Sequence, residues 1–161
     1  MVSLLTSFLP AAQQPSAAAQ PAADRPSAGR LRAATELLSR GLTVVTSHEG
    51  HGAPMGTAAA SAGVVSLTPA LVLACIDEGS ATLAAALGSR RFALNVLTSS
   101  NADVARHFSE AASRDPWDQV RYTMVAGLPL LRDADATLSC EVHDIADGGP
   151  VTILVGRVVD C

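Results

Sequence analysis

Few residues in this chain have the type and spacing for chemistry, and none forms a familiar catalytic set. Gly50-His51-Gly52-Ala53-Pro54-Met55-Gly56 superficially resembles a dinucleotide fingerprint. Its third glycine falls one residue late and no helical pattern follows, so a hairpin turn explains it better. His48, Glu49 and His51 could be imagined as metal ligands, but no fourth partner accompanies them, and a solvated turn is the simpler reading. His107 sits beside Phe108 on a helical stretch and His143 on a strand, neither with a Ser or Cys arrangement that suggests a triad. Asp77-Glu78 and the Asp133/Asp135 pair both flank turns. No phosphate-binding loop of the Walker type occurs. Cys75, Cys140 and Cys161 show no CxxC spacing and are odd in number, which speaks against a disulfide framework and a zinc site. They read as the reduced thiols of a cytoplasmic protein.

The elements that must position these residues follow from composition and pattern. A chain of 161 residues with 48% hydrophobic residues fits one domain with a packed core. With aromatics at 3%, Ala, Val and Leu must fill that core. A net charge of −4 argues against a nucleic-acid surface. No apolar run approaches the roughly 18 residues of a membrane span. Met1–Ala12 lacks a basic leading region and is broken by Pro10, so it reads as part of a tail and not as an export signal. Gln13–Gly29 is Ala, Pro, Gln and Ser, a composition that buries little. The expected organisation is a disordered tail over residues 1–29 and one domain over 30–161.

Leu31, Ala34, Leu37 and Leu38 mark a short amphipathic helix that Gly41 would end. Leu42–Ser47 is β-branched, His48–Pro54 a turn and Met55–Ala60 the return of a hairpin. Val64–Leu67 and Ala70–Ile76 follow as strands, the second apolar on both faces and therefore central. Ser80–Leu87 is an Ala-rich helix with Ser80 as N-cap and Gly88 past its end. Phe92–Leu97 is a buried strand, and Ser100–Asp103 a helix start before Val104–Phe108. Ser113–Gln119 is a polar loop around Trp117. Thr137–Ile145 alternates, Asp147–Pro150 turns, and Val151–Val159 is a long strand. Connections this short favour an antiparallel barrel over a parallel α/β sheet.

The segments TVVTS, GAPMG, SLTPALVLAC, DEGSAT, RRFALNVL, VARHFS, GLPLL, LSCEVHDI and VTILVGRVV occur in one order from about Leu31 onward. Together they resemble the flavin reductase-like family, the FMN-binding split-barrel group that includes the short-chain reductases of two-component monooxygenases. The resemblance implies a mainly β fold, a six-stranded antiparallel Greek-key split barrel with a few short helices. It also implies a homodimer, to which exposed apolar strands such as ALVLACI and FALNVL would contribute. Its cofactors are FMN or FAD, with NADH or NADPH as co-substrate, and its product goes to a flavin-dependent monooxygenase. Such chemistry asks little of side chains, because the cofactors carry the hydride and the protein supplies orientation and exclusion of water.

By the same resemblance the isoalloxazine ring lies along Gly56, Thr57, Ala58, Ala59, Ala60 and Ser61, whose small side chains allow close backbone approach. The flavin phosphate lies near Asp77, Ser80 and Thr82, at a helix start. No catalytic side chain is assigned. This chain departs from its relatives at Ala58 and Ala60, where they carry Thr and Ser, and at Ala62, where they carry an aromatic. It departs again at Val151, where they place a histidine near the nicotinamide, and relatives run on past the position of Cys161 into a further strand. A second class of function stays open on these residues: a redox-silent relative whose groove binds another small molecule.

Overall fold

The computed structural model describes residues 27–38, 41–50, 52–109 and 115–161. The expected tail falls almost wholly outside them. The first helix, α1 (Ala28–Leu38), begins before the expected Leu31 and buries Leu31, Ala34, Thr35 and Leu38. Gly41 still donates its N–H to Leu37 O at 3.0 Å. Its glycine is required by contact with a later strand, since a Cβ there would stand 2.7 Å from Val96 Cγ1 and 2.9 Å from Leu97 O.

Strands β1 (Leu42–Glu49) and β2 (Ala53–Ala58) form the predicted hairpin. The turn is tighter than expected. Glu49 pairs with Ala53, and Gly52, at φ +85°, donates to Glu49 O, as short hairpin loops with a left-handed glycine do. Then come β3 (Ser61–Leu67), β4 (Ala70–Asp77), α2 (Ala81–Ser89), β5 (Arg91–Leu97) and α3 (Ala102–Ser109). The chain closes with β6 (Tyr122–Val125), β7 (Leu128–Leu131), β8 (Ala136–Asp147) and β9 (Val151–Asp160). Gly88 lies inside α2, not past it; the left-handed C-cap is Arg90, at φ 59°. No described helix is long and apolar enough to cross a membrane.

Seven strands form one sheet in the order β2-β1-β5-β8-β9-β4-β3, every pairing antiparallel. The two edge strands, β2 and β3, are joined in sequence by Ala59 and Ala60 alone. Two residues span only about 7 Å, so the sheet must curl until its edges meet. The hydrogen bonds show where: Ala59 N–H donates to Thr43 O on β1 at 2.8 Å, and Ala60 N–H to Cys75 O on β4 at 2.9 Å. The barrel is therefore closed by a chain crossing rather than by a strand pair. The expected six strands become seven, plus a separate two-stranded β6–β7 hairpin.

Inside the barrel Val45, Val72, Ile76, Phe92, Leu94, Leu138 and Leu154 pack with one face of α1 and of α2. Phe92–Leu97 is buried throughout. It therefore offers no exposed apolar strand to a partner; among the described residues the exposed large apolar side chains are Leu42 on β1, Val64, Val65 and Leu67 on β3, Tyr122, Met124 and Val125 on β6, and Ile145 on β8. Outside the sheet a second core of Val44, Leu97, Ala105, Phe108 and Leu131 lies beneath α3 and the β6–β7 hairpin.

Candidate functional site

The crossing places Ala59, Ala60 and Ser61 at one rim of the barrel. Ser61 pairs with Cys75, two residues before Asp77 ends β4. Asp77 in turn pairs with Val151 on β9, so the two positions that the family resemblance ties to flavin and nicotinamide are direct cross-strand neighbours. Glu78 N–H donates to Pro150 O at 3.3 Å, fixing the β8–β9 turn against the same rim. Asp77 O accepts from Ser80 N–H at 2.9 Å, which sets the start of α2 beside it.

The roles within Gly56–Ser61 differ from the uniform small-residue floor expected. The N–H groups of Ala59 and Ala60 are taken up inside the barrel. Because Ala59 N–H bonds Thr43 O, alternation along the antiparallel ladder turns the N–H and C=O of Thr57 toward β1. Those of Gly56 and Ala58 then point outward along the free edge of β2. A Cβ on Gly56 would fall 2.5 Å from Phe108 Cε1 and 3.0 Å from Trp117 Cζ2. Gly56 is small to admit that aromatic pair, and Ala58 packs on the same outer core. Thr57 lies on the opposite face with Met55, and Ala60 and Ser61 are exposed.

At α2 the fit to an anion is partial. The Ser80 hydroxyl does not cap the helix. The first helical bond is Ala84 N–H to Ser80 O at 3.2 Å, so the N–H groups of Ala81, Thr82 and Leu83 have no partner within the helix. Thr82 keeps only 3% of its surface exposed; its backbone, more than its hydroxyl, is available. A groove of 380 Å³ runs between α2 and the β1–β2 hairpin, with His48, Glu49 and Met55 on one wall and Ala81, Ala84 and Gly88 on the other.

Two polar clusters went unnoticed in the sequence. Asn95, fully buried, donates to Val44 O at 3.1 Å and to Thr46 Oγ1 at 3.0 Å, and its Oδ1 accepts from Leu131 N–H at 2.9 Å. Thr46 Oγ1 donates to Pro129 O at 2.6 Å. This network ties β7 to β1 and β5. A polar residue in the apolar run FALNVL was its only signal. Ser47 and Ser89 both donate to Arg91 O, at 2.8 and 3.0 Å, joining the end of α2 to β1.

The sheet is thus an antiparallel barrel closed by a chain crossing, with the start of α2 and the free edge of β2 beside that crossing. Residues 35–161 match the flavin reductase like domain, and the chain belongs to that family. It is 35% identical over 124 residues to the NADH-dependent FAD reductase of Streptomyces globisporus, covering 74% of this chain and 67% of that one. It is 36% identical over 139 residues to the NADPH-flavin oxidoreductase of Streptomyces viridifaciens, covering 81% of this chain and 70% of the relative. The NADH:FAD oxidoreductase of Streptomyces globisporus C-1027, solved with NAD and FAD fragments, superposes with a TM-score of 0.68 at 35% identity over 74% of this chain and 72% of its own. Some relatives are much longer: the chain spans only 41% of a similar Rhizobium meliloti protein.

Proposed function

We propose that this chain is an NAD(P)H:flavin oxidoreductase that hands reduced FMN or FAD to a partner monooxygenase. The observation that carries the reading is the rim itself. The crossing, the outward edge of β2 and the unpartnered N–H groups at the start of α2 meet there in a chain of this family. The N–H groups of Ala81–Leu83 and the Ser80 hydroxyl would hold the flavin phosphate, and the outward groups of Gly56 and Ala58 would bond the ring. Bound flavin supplies the hydride chemistry; the chain orients it and keeps water from it. Relatives include the reductase component of a flavin-dependent trigonelline monooxygenase and, among solved structures, a homologue of nitrilotriacetate monooxygenase component B, which supports an oxygenase partner here. A homodimer in the cytoplasm is part of the same proposal.

The test is the visible spectrum of purified protein mixed with FMN or FAD, before and after NADH or NADPH. Bleaching of bound flavin is expected. Ser80→Ala should weaken FMN binding and leave riboflavin, which has no phosphate, largely unaffected. No flavin binding at about 100 μM, far above useful cofactor affinities, would overturn the reading. Binding without bleaching would favour the redox-silent alternative, with Val151→His the substitution to try first.

A further inference from the structure

We infer, building on the reductase reading, that the rim selects NADH over NADPH and that Glu78 and Asp147 set this choice. NADPH differs from NADH by one phosphate ester on the adenosine ribose. At pH 7 such a group adds about −1.5 to −2 charges. A preference between the two nucleotides is therefore decided by the charges that the added phosphate meets. Arginine, lysine and the free N–H groups of a helix start attract it. The rim has one helix start, that of α2, and in the reading above the flavin phosphate takes it. No cation stands ready for a second phosphate. The chain has no lysine, so its 11 cationic side chains are all arginine. None falls within residues 56–61, 77–83 or 147–152, the segments that build the rim. The arginines on elements that lead away from the rim are distant or engaged. Arg90 and Arg91 stand past the far end of α2, donating to Val142 O and Ala126 O. Arg157 lies against His143 Nδ1, six residues along β9 from Val151, a span of about 20 Å.

What the added phosphate meets is carboxylate. Asp77 faces Val151 across the β4–β9 pair, and Asp147 faces Thr152 across the β8–β9 pair. The bond from Glu78 N–H to Pro150 O sets Glu78 beside the same turn. All three side chains are exposed, and none takes part in an ion pair among the described residues. Asp147 is also held in place, since its Oδ1 accepts from Gly149 N–H at 2.8 Å. Exposed charges act over roughly 8 Å at physiological salt, so carboxylates gathered on one turn and its cross-strand neighbours add their repulsion. The nicotinamide and the pyrophosphate are common to both nucleotides, and their share of that repulsion cancels in the comparison. The remainder falls on NADPH alone.

The experiment compares the wild type with the double variant Glu78→Gln, Asp147→Asn, which removes two charges and keeps both side-chain shapes. The amide oxygen at position 147 can still accept from Gly149 N–H. Affinities for NADH and NADPH are read from nicotinamide fluorescence, and kcat/KM for each from its oxidation with flavin present. The wild type should bind NADH about fivefold or more tightly than NADPH at low salt, with the gap narrowing as salt screens the carboxylates. In the double variant NADPH should gain about threefold or more while NADH holds, and kcat/KM should follow the affinities. A wild type that binds NADPH as tightly as NADH would overturn the inference. So would a double variant in which the ratio of the two affinities stays the same, whether both change or neither does. Each of these leaves the reductase reading standing. Bound flavin that neither nucleotide bleaches would overturn both.

Discussion

Asn95 carries more of this structure than any residue with obvious chemistry. Its amide meets three partners from β1 and β7 in a fully buried position. Each buried polar group left unpaired costs about 1–3 kcal/mol. Asn95→Ala should therefore destabilise the protein by more than Thr46→Val, which leaves Asn95 bonded to Val44 O. Urea denaturation of the two variants checks the order. Asp135 acts at the surface. Its Oδ2 accepts from Thr98 N–H at 2.9 Å and from Thr98 Oγ1 at 3.1 Å. The Thr98 backbone bond is the main cause holding its carboxyl below the ordinary value, against a smaller opposing effect of burial. A lowered folded pKa gives stability that is present above the unfolded pKa of about 3.9 and is lost as pH falls through the folded value. Asp135→Asn should remove that part of the acid dependence, seen as a smaller loss of melting temperature between about pH 5 and pH 3. Cys140 lies deep in the barrel, and burial pushes its thiol far up, so it stays protonated in the folded chain.

At the scale of elements, α3 and the short turn at Pro116–Asp118 are clamped onto β2 by an aromatic stack. Phe108 and Trp117 meet edge to face at 5.3 Å, and Trp117 meets Tyr122 at 4.9 Å. Gly56 is the gap into which this stack fits. Gly56→Ala should cost about 1–3 kcal/mol through overpacking, and Phe108→Leu in the same chain should recover part of it. Thermal melts of the single and double variants provide the check. A neutral Gly56→Ala that lowered flavin affinity alone would instead assign the glycine to the cofactor.

Across the whole molecule, the barrel leaves one edge strand with apolar side chains in the open. Val65 is 50% and Leu67 51% exposed on β3. An unpaired, apolar edge invites a partner, and a second copy is the one proposed. Light scattering at micromolar concentration should give a dimer mass, and Val65→Asp should shift it toward the monomer. A monomeric wild type at that concentration would contradict the proposal.

Hydrophobic period and turn chemistry made the strands from β1 to β5, the β8–β9 hairpin and all three helices legible before any coordinates. These signals are local: alternation, β-branching, a glycine turn, an apolar helix face. The ordered run of segments carried the family and, with it, the region of the site. The β6–β7 hairpin was not legible, because its turn puts Ala126 and Gly127 at positive φ, and alanine gives no turn signal. Nor could local pattern reveal that Gly56 makes room for Phe108, that Ala59 and Ala60 give their N–H groups to β1 and to β4, or that Thr82 is buried. A side chain's neighbours, and whether its backbone is already bonded, are set by closure of the sheet. Closure brings together residues far apart in the chain, and only the tertiary structure decides it.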